Sequence, residues 1–174
     1  WGRSRSLLLV EADLAATHPV AFGRILKAQR RGVKIIAVDT RFTATLSKAD
    51  VAITIQPHSG NSFGLVLMKM LLEEKLVNLK ALKEYFGDSQ SWQSTFASMT
   101  LKGAVSAIGP QLDEIQRLAL LLARHQPAVM ITGKRLAFAP HHGVWLTMAR
   151  AMGWEGTTGG GWYPIESGVP TLDP

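Results

Sequence analysis

Cysteine is absent from the 174 residues. That removes disulfides, iron–sulfur clusters and thiolate metal sites from this stretch of chain. Charge is scarce too: Asp, Glu, Lys and Arg together make up 18%, against roughly 25% in an average globular chain. A surface so lightly charged is expected to face other domains in part. No apolar run approaches the ~20 residues of a membrane span; Ser6 to Val10 is too short, and Ala119 to Ala123 lies inside an amphipathic pattern. No internal repeat is present. The fingerprint G-x-G-x-x-G does not follow the first apolar run, where E-A-D-L-A-A-T-H-P stands instead. An ordinary NAD or FAD site is therefore not expected. The net charge of +6 includes a cluster at Arg24, Lys27, Arg30, Arg31 and Lys34. No aromatic residues interleave with it and no binding motif accompanies it, so no nucleic-acid partner is expected. Such cations suit the solvated C-terminal end of a helix.

What is present is a core: hydrophobic residues reach 47%, enough for one domain. The organising stretch is Lys34 to Arg41, K-I-I-A-V-D-T-R. Its apolar run has no polar alternation, which marks a strand covered on both faces, as in a parallel sheet. Ser6 to Val10 precedes it as a first strand. Glu11 to Thr17 reads as a loop. Pro19 opens a helix running to about Arg31, and Gly32 stops it. This is a βαβ unit. Thr43 to Ala49 supplies a helical turn or two, and Val51 to Ile55 a third strand. A helix from about Ser62 to Glu74 is apolar nearly all round and must be buried on more than one side; Met68 and Met70 suit core filling. Leu79 to Phe86 and Leu112 to Arg124 are helical, Ala128 to Thr132 is a fourth strand, and His142 to Met152 is helical again. Gly87 to Lys102 carries weak signals, with Trp92 and Phe96 unplaced.

The expected fold class is α/β: a three-layer, Rossmann-like domain with about four parallel strands in the order 3-2-1-4. It occupies residues 1–174 as a single domain, with 153–174 an extended, irregular tail rich in glycine and proline. The chain opens Trp1-Gly2-Arg3 without a methionine, and we expect a piece of a longer polypeptide.

Open parallel sheets bind ligands beyond the C-terminal ends of their strands. Four segments should converge there: Glu11 to His18, Asp39 to Arg41, Pro57 to Asn61, and Gly133 to Gly143. Their chemistry suits a phosphorylated nucleotide. Thr17, Ser59 and Asn61 can donate to phosphate oxygens, and helix starts near His18 and Asn61 offer free N–H groups. Arg41, Lys134 and Arg135 can neutralise charge. Asp13 and Asp39 can accept from ribose hydroxyls or guanine N–H groups. Each has a plainer reading: Asp39 as a loop cap, Arg41 as a surface residue, His18 as a packing residue at a helix start, Ser59 and Asn61 as turn residues. His141 and His142 do not form a metal site by spacing, since adjacent side chains of a strand point apart and no third ligand stands nearby.

L-L-L-V-E-A-D-L-A-A-T-H-P, followed by K-I-I-A-V-D-T-R-F-T-A-T-L-S-K-A-D-V-A-I-T-I-Q-P, resembles the molybdopterin oxidoreductases of the dimethyl sulfoxide reductase superfamily. The likeness returns at Ala128 to Gly133, at Thr147 to Arg150 and at the triple glycine Gly159 to Gly161. It implies a dinucleotide-fold domain of a molybdenum or tungsten oxidoreductase, holding one molybdopterin guanine dinucleotide. The implied contacts are Asp13, Thr17, His18, Asp39, Arg41, Pro57, Ser59, Gly60 and Gly133. The implied partners are the remaining domains of the polypeptide and electron-transfer subunits, in a cytoplasmic or periplasmic redox complex. The metal's protein ligand would lie outside this segment, leaving the segment alone without catalysis. The sequence departs from the family pattern at Glu11 (a glycine in the family), Asp13 (asparagine), Ala16 (an acid), Thr40 (proline) and His58 (glycine). A carboxylate at Glu11 would repel a diphosphate. Two alternatives therefore stand beside the first reading: a non-catalytic scaffold domain of an electron-transfer complex, and an unrelated Rossmann-like domain for nucleotides or sugar phosphates.

Overall fold

The computed structural model describes residues 3–87, 96 and 99–165. Trp1, the loop expected at 88–91, Trp92 and the part of the tail at 166–174 lie outside the described residues. Among those described, strands β1 (Ser6–Val10), β2 (Lys34–Asp39), β3 (Val51–Thr54), β4 (Ala128–Thr132) and β5 (Gly161–Pro164) form one sheet in the order β3-β2-β1-β4-β5. Every pairing is parallel: Ser6 stands opposite Lys34 on one side and Ala128 on the other, Ile36 opposite Val51, and Val129 opposite Gly161.

The expected order 3-2-1-4 is therefore present, and it extends by one strand. The stretch read as irregular tail from residue 153 contains β5. A four-residue edge strand that begins at a glycine and ends at a proline has no propensity signal of its own. It is held by its ladder with β4 and by Trp162, whose Nε1 donates to Thr132 Oγ1 at 2.9 Å.

Helices cover both faces. On one face lie α1 (Leu14–Thr17), α2 (Pro19–Gln29) and a 3-10 turn at Leu46–Lys48. Phe22, Ile25 and Leu46 pack there on Leu7, Leu9, Ile35, Ala37, Val129 and Ile131. The other face carries α3 (Gly60–Glu73), α4 (Leu79–Phe86), α5 (Leu101–Ile108), α6 (Leu112–Arg124), α7 (Lys134–Phe138) and α8 (Val144–Ala151). There Phe63, Leu67, Leu118 and Trp145 pack on Leu8, Val10, Ile36, Val38 and Met130. Residues 7 to 10 thus alternate between two buried layers, which explains their unbroken apolar run. Each fully buried Leu or Ile of this set stabilises the fold by about 1.5–3 kcal/mol.

Three helical segments escaped the sequence patterns. Leu14–Thr17 forms a turn inside the expected loop, Leu101–Ile108 starts at the end of the weakly patterned stretch and runs through residues given no assignment, and Lys134–Phe138 opens the loop after β4. Helix α3 begins at Gly60 rather than Ser62 and buries Met68 and Met70 as core. It crosses α8 closely: a Cβ on Gly64 would stand 2.8 Å from Val144 and 2.9 Å from Trp145. Phe96 is buried in the same layer. No helix among the described residues is long and apolar enough to cross a membrane.

Candidate functional site

The C-terminal edge of the sheet is built outward from Glu11. After Val10 the chain turns sharply: the Glu11 N–H donates to Val38 O at 2.8 Å, and its φ is +47°. That backbone region is costly for a residue with a side chain. Two glycines close around it. A Cβ on Gly133 would collide with the Glu11 carbonyl oxygen, and one on Gly60 with the Glu11 carboxylate and Leu136. Gly133 N–H also donates to Val10 O at 2.8 Å. Both glycines thus permit a close approach of chain to chain at the strand ends.

The Glu11 carboxylate lies at the first turn of α3. Glu11, Thr40, His58 and Arg135 line a cavity of about 190 Å³ there. Burial raises the Glu11 pKa above its ordinary 4.5; Arg135 opposes the shift, Asp39 adds to it, and His58 and the Gly60 amide oppose it more weakly. Its Oε1 is buried with no hydrogen-bond partner among the described residues. A helix N-terminus favours an anion, and here the anion nearest it belongs to the protein.

Asp39 ends β2 and is largely buried. Its Oδ1 accepts from the Thr40 N–H at 2.7 Å, which fixes the carboxylate at the rim. Arg41 follows, exposed, with Lys134 and Arg135 also exposed on the β4 side.

A second group stands over α1. Asp13 Oδ1 accepts from Thr45 Oγ1 at 2.8 Å, and the same oxygen of Thr45 accepts from the Ala15 N–H at 2.9 Å. Thr17 Oγ1 donates to Asp13 O at 2.8 Å and lies 2.8 Å from His18 Nδ1. The hydroxyl has one hydrogen, already committed, so His18 Nδ1 carries the proton in this pair. His18 caps α2 without a side-chain cap bond.

The turn before α3 places Pro57 and His58 outward, His58 with φ +62°. Ser59 is buried and donates to Gln56 O at 2.6 Å. Asn61 is buried deeper. Its Nδ2 donates to Leu136 O at 3.0 Å and to Pro140 O at 2.8 Å, and its Oδ1 accepts from Trp145 Nε1 at 2.8 Å. Asn61 is therefore a clamp between α3 and the loop after β4. The three side chains expected as phosphate donors all direct hydrogens at carbonyls of their own chain.

The strand ends thus gather Glu11, Asp39, His58, Gly60 and Arg135 around one crevice. Asp13, Thr17 and His18 form a separate hydrogen-bonded unit with Thr45, and no described hydrogen bond links the two. Sequence reasoning missed Thr45 and Thr40, the residues that hold Asp13 and Asp39. For Thr45 the only signal was a hydroxyl before a turn; Thr40 acts through its backbone N–H, which any residue but proline supplies.

No family model matches the chain. It is 25% identical over 108 residues to the F420-dependent formate dehydrogenase 1 subunit alpha of Methanococcus maripaludis, covering 61% of this chain and 16% of that protein. The assimilatory nitrate reductase catalytic subunit of Bacillus subtilis matches at 23% over 131 residues, 75% of this chain and 18% of that one. The formate dehydrogenase major subunit of Haemophilus influenzae matches at 32% over 84 residues, 48% and 8% of the two chains. The chain thus spans less than a fifth of the length of these relatives. Acetylene hydratase from Pelobacter acetylenicus shares the fold, with a TM-score of 0.66 at 22% identity over 73% of this chain and 18% of that structure. The sequence relatives are formate dehydrogenase and nitrate reductase subunits, and the chain is homologous to a segment of them.

Proposed function

We propose that this chain is the dinucleotide-fold domain of a molybdenum or tungsten oxidoreductase, and that it grips the guanosine end of a molybdopterin guanine dinucleotide. Homology to oxidoreductase subunits supports the class of parent enzyme. The observation that carries the finer reading is Asp39. It ends β2 at the sheet's C-terminal edge, with Oδ1 fixed by the Thr40 amide and Oδ2 without a hydrogen-bond partner among the described residues. A carboxylate so held can accept from a ribose hydroxyl or a guanine N–H. Arg41 beside it offers a charge to a phosphate.

The rest of the proposed contact set is Asp13, Thr17, His18, Pro57, Ser59, Gly60 and Gly133. Within it, the nucleoside end fits better than the diphosphate. The first turn of α3 is where a phosphate would lie, and the Glu11 carboxylate already stands there. That specific clash favours a second reading, a domain that keeps the fold as scaffold inside an electron-transfer complex. When bound, the cofactor would supply the redox-active metal; this segment would contribute grip and orientation.

The test is the pterin content of the native polypeptide that carries this segment. Oxidised pterin fluorescence and bound GMP after acid release are expected in stoichiometric amount. Asp39→Ala should lower cofactor retention about ten-fold, the loss of one hydrogen bond between a charged acceptor and the nucleoside, with an unchanged melting temperature. A cofactor-free native protein selects the scaffold reading. Unchanged retention in the variant removes Asp39 from the contact set.

A further inference from the structure

The opposite end of the sheet carries a basic cavity that neither reading uses. It holds about 580 Å³ between the N-terminal end of β1 and the last turns of α2, and is lined by Ser4, Arg5, Arg24, Lys27, Arg31 and His125 among others. That volume lies within the roughly 300–1,000 Å³ of small-ligand sites. Four cations face one concavity, and no carboxylate lines it. Four other cations are ion-paired: Lys34 with Asp50, Lys69 with Glu73, Arg117 with Asp113, Arg150 with Glu155. Arg5, Arg24, Lys27 and Arg31 have no acidic partner among the described residues.

Favourable placement at the C-terminal end of a helix accounts for Lys27 and Arg31 on α2. It does not account for Arg5, which belongs to the approach to β1. Nor does it account for Ser4. That residue is 5% exposed, and its hydroxyl is buried with no hydrogen-bond partner among the described residues. An unpaired buried hydroxyl costs free energy unless something arrives to pair with it. His125 adds a ring whose Nδ1 is within 3.0 Å of Leu121 O; a proton there leaves Nε2 as the free nitrogen.

From this convergence we propose that the cavity is an anion site for a small phosphate-bearing ligand of two or more negative charges. The arginines and Lys27 would neutralise it, and Ser4, on the lining, would turn its hydroxyl to the ligand. A concavity of about 580 Å³ suits a small ligand better than a protein surface. The site lies at the sheet's other end from Asp39, so it is independent of the cofactor reading.

Calorimetric titration of the native polypeptide with pyrophosphate, orthophosphate and GDP at low ionic strength tests the proposal. One pyrophosphate per chain is expected, with affinity falling as salt is added. Arg24→Gln with Arg31→Gln, both exposed and remote from the core, should weaken binding ten-fold or more without moving the melting temperature. Ser4→Ala should weaken it several-fold, and Asp39→Ala should leave it unchanged. Tighter GDP than pyrophosphate binding identifies a nucleotide as the source; equal affinities identify the phosphate alone. No saturable heat from any of the three overturns the site, as does binding untouched by the double arginine variant or abolished by Asp39→Ala.

Discussion

Glu11 is the residue whose environment departs furthest from what its type prefers. It combines a positive φ, a half-buried carboxylate, and a neighbouring acid in Asp39. Its position was legible in the sequence as an oddity, since the chain has an acid where a phosphate-binding turn would want a glycine. Its placement at the first turn of α3 was not legible, because that depends on Gly60 and Gly133 closing over it from distant parts of the chain. The same holds for Ser59 and Asn61. Their hydrogen-bonding capacity is written in the sequence, but the carbonyls that absorb it come from Gln56 and the 136–140 loop. The Glu11 environment has a pH consequence. The folded pKa lies above the ordinary 4.5, so between the two values the folded state holds a proton that the unfolded chain has released. Stability is therefore least penalised below about 4.5 and declines as the pH climbs through the folded pKa. Glu11→Gln removes that decline. Its melting temperature should exceed the wild type's by a margin that widens from pH 4.5 to pH 8. A margin independent of pH would mean that the carboxylate is solvated as in the unfolded chain.

Among the elements, β2 and β3 owe their register to one carboxylate. Asp50 Oδ2 accepts from the Ile35 N–H and from Gln29 Nε2, both at 2.9 Å, while Oδ1 meets Lys34 Nζ at 3.1 Å. In return the Asp50 N–H donates to Ile35 O at 2.8 Å. Asp50 thus ties the end of α2, the start of β2 and the start of β3. Partial burial would raise its pKa, but the Ile35, Gln29 and Lys34 hydrogen bonds outweigh it, and the net shift is downward from 3.8. The stability it contributes is present above 3.8 and is lost as the pH falls through the lower folded value. Asp50→Ala should cost about 1–3 kcal/mol at neutral pH, a fall of several degrees in melting temperature for a chain of this size. The gap between the variant and the wild type should narrow as the pH is taken down from 3.8. A substitution that costs nothing at pH 7 would reduce the cluster to an exposed ion pair. The strands and long helices here were readable because their signals are local: apolar runs, Pro19 at a helix start, and Gly32 at φ +96° after a helix end. The missed elements β5, α5 and α7 are short, and tertiary contacts decide them. Trp162 on Thr132 and Asn61 on the 136–140 loop have no local signature.

Across the whole molecule the two faces of the sheet are unequally clad. The face bearing α3, α6 and α8 holds the larger buried cluster, with Trp145 and Trp154 fully enclosed. The other is covered by α1, α2 and a single 3-10 turn, and its smaller cluster leaves Tyr163 on β5 more than half exposed. The two proposed ligand sites lie at opposite sheet ends, the anion cavity beside α2 and the crevice beside α3. Rigidity should follow the same geometry, because opening free energy rises with the number of packed neighbours an element must shed. β1 lies between β2 and β4, and its residues Leu7 to Val10 are at most 1% exposed. β5 has one neighbour, four residues and a proline in its ladder. Native-state hydrogen exchange should therefore find the amides of Leu8 and Leu9 exchanging only through global unfolding, with the full denaturant dependence of the chain. Those of Trp162 and Tyr163 should exchange through a smaller opening with a shallower dependence. β2 and β4 should follow β1, since each is paired on both edges and buried on both faces. Trp162→Phe removes the Thr132 contact and should speed exchange in β5 while leaving β1 unchanged. If β5 proved as protected as β1, the sheet would unfold as one unit and its edge strand would be integral to the core.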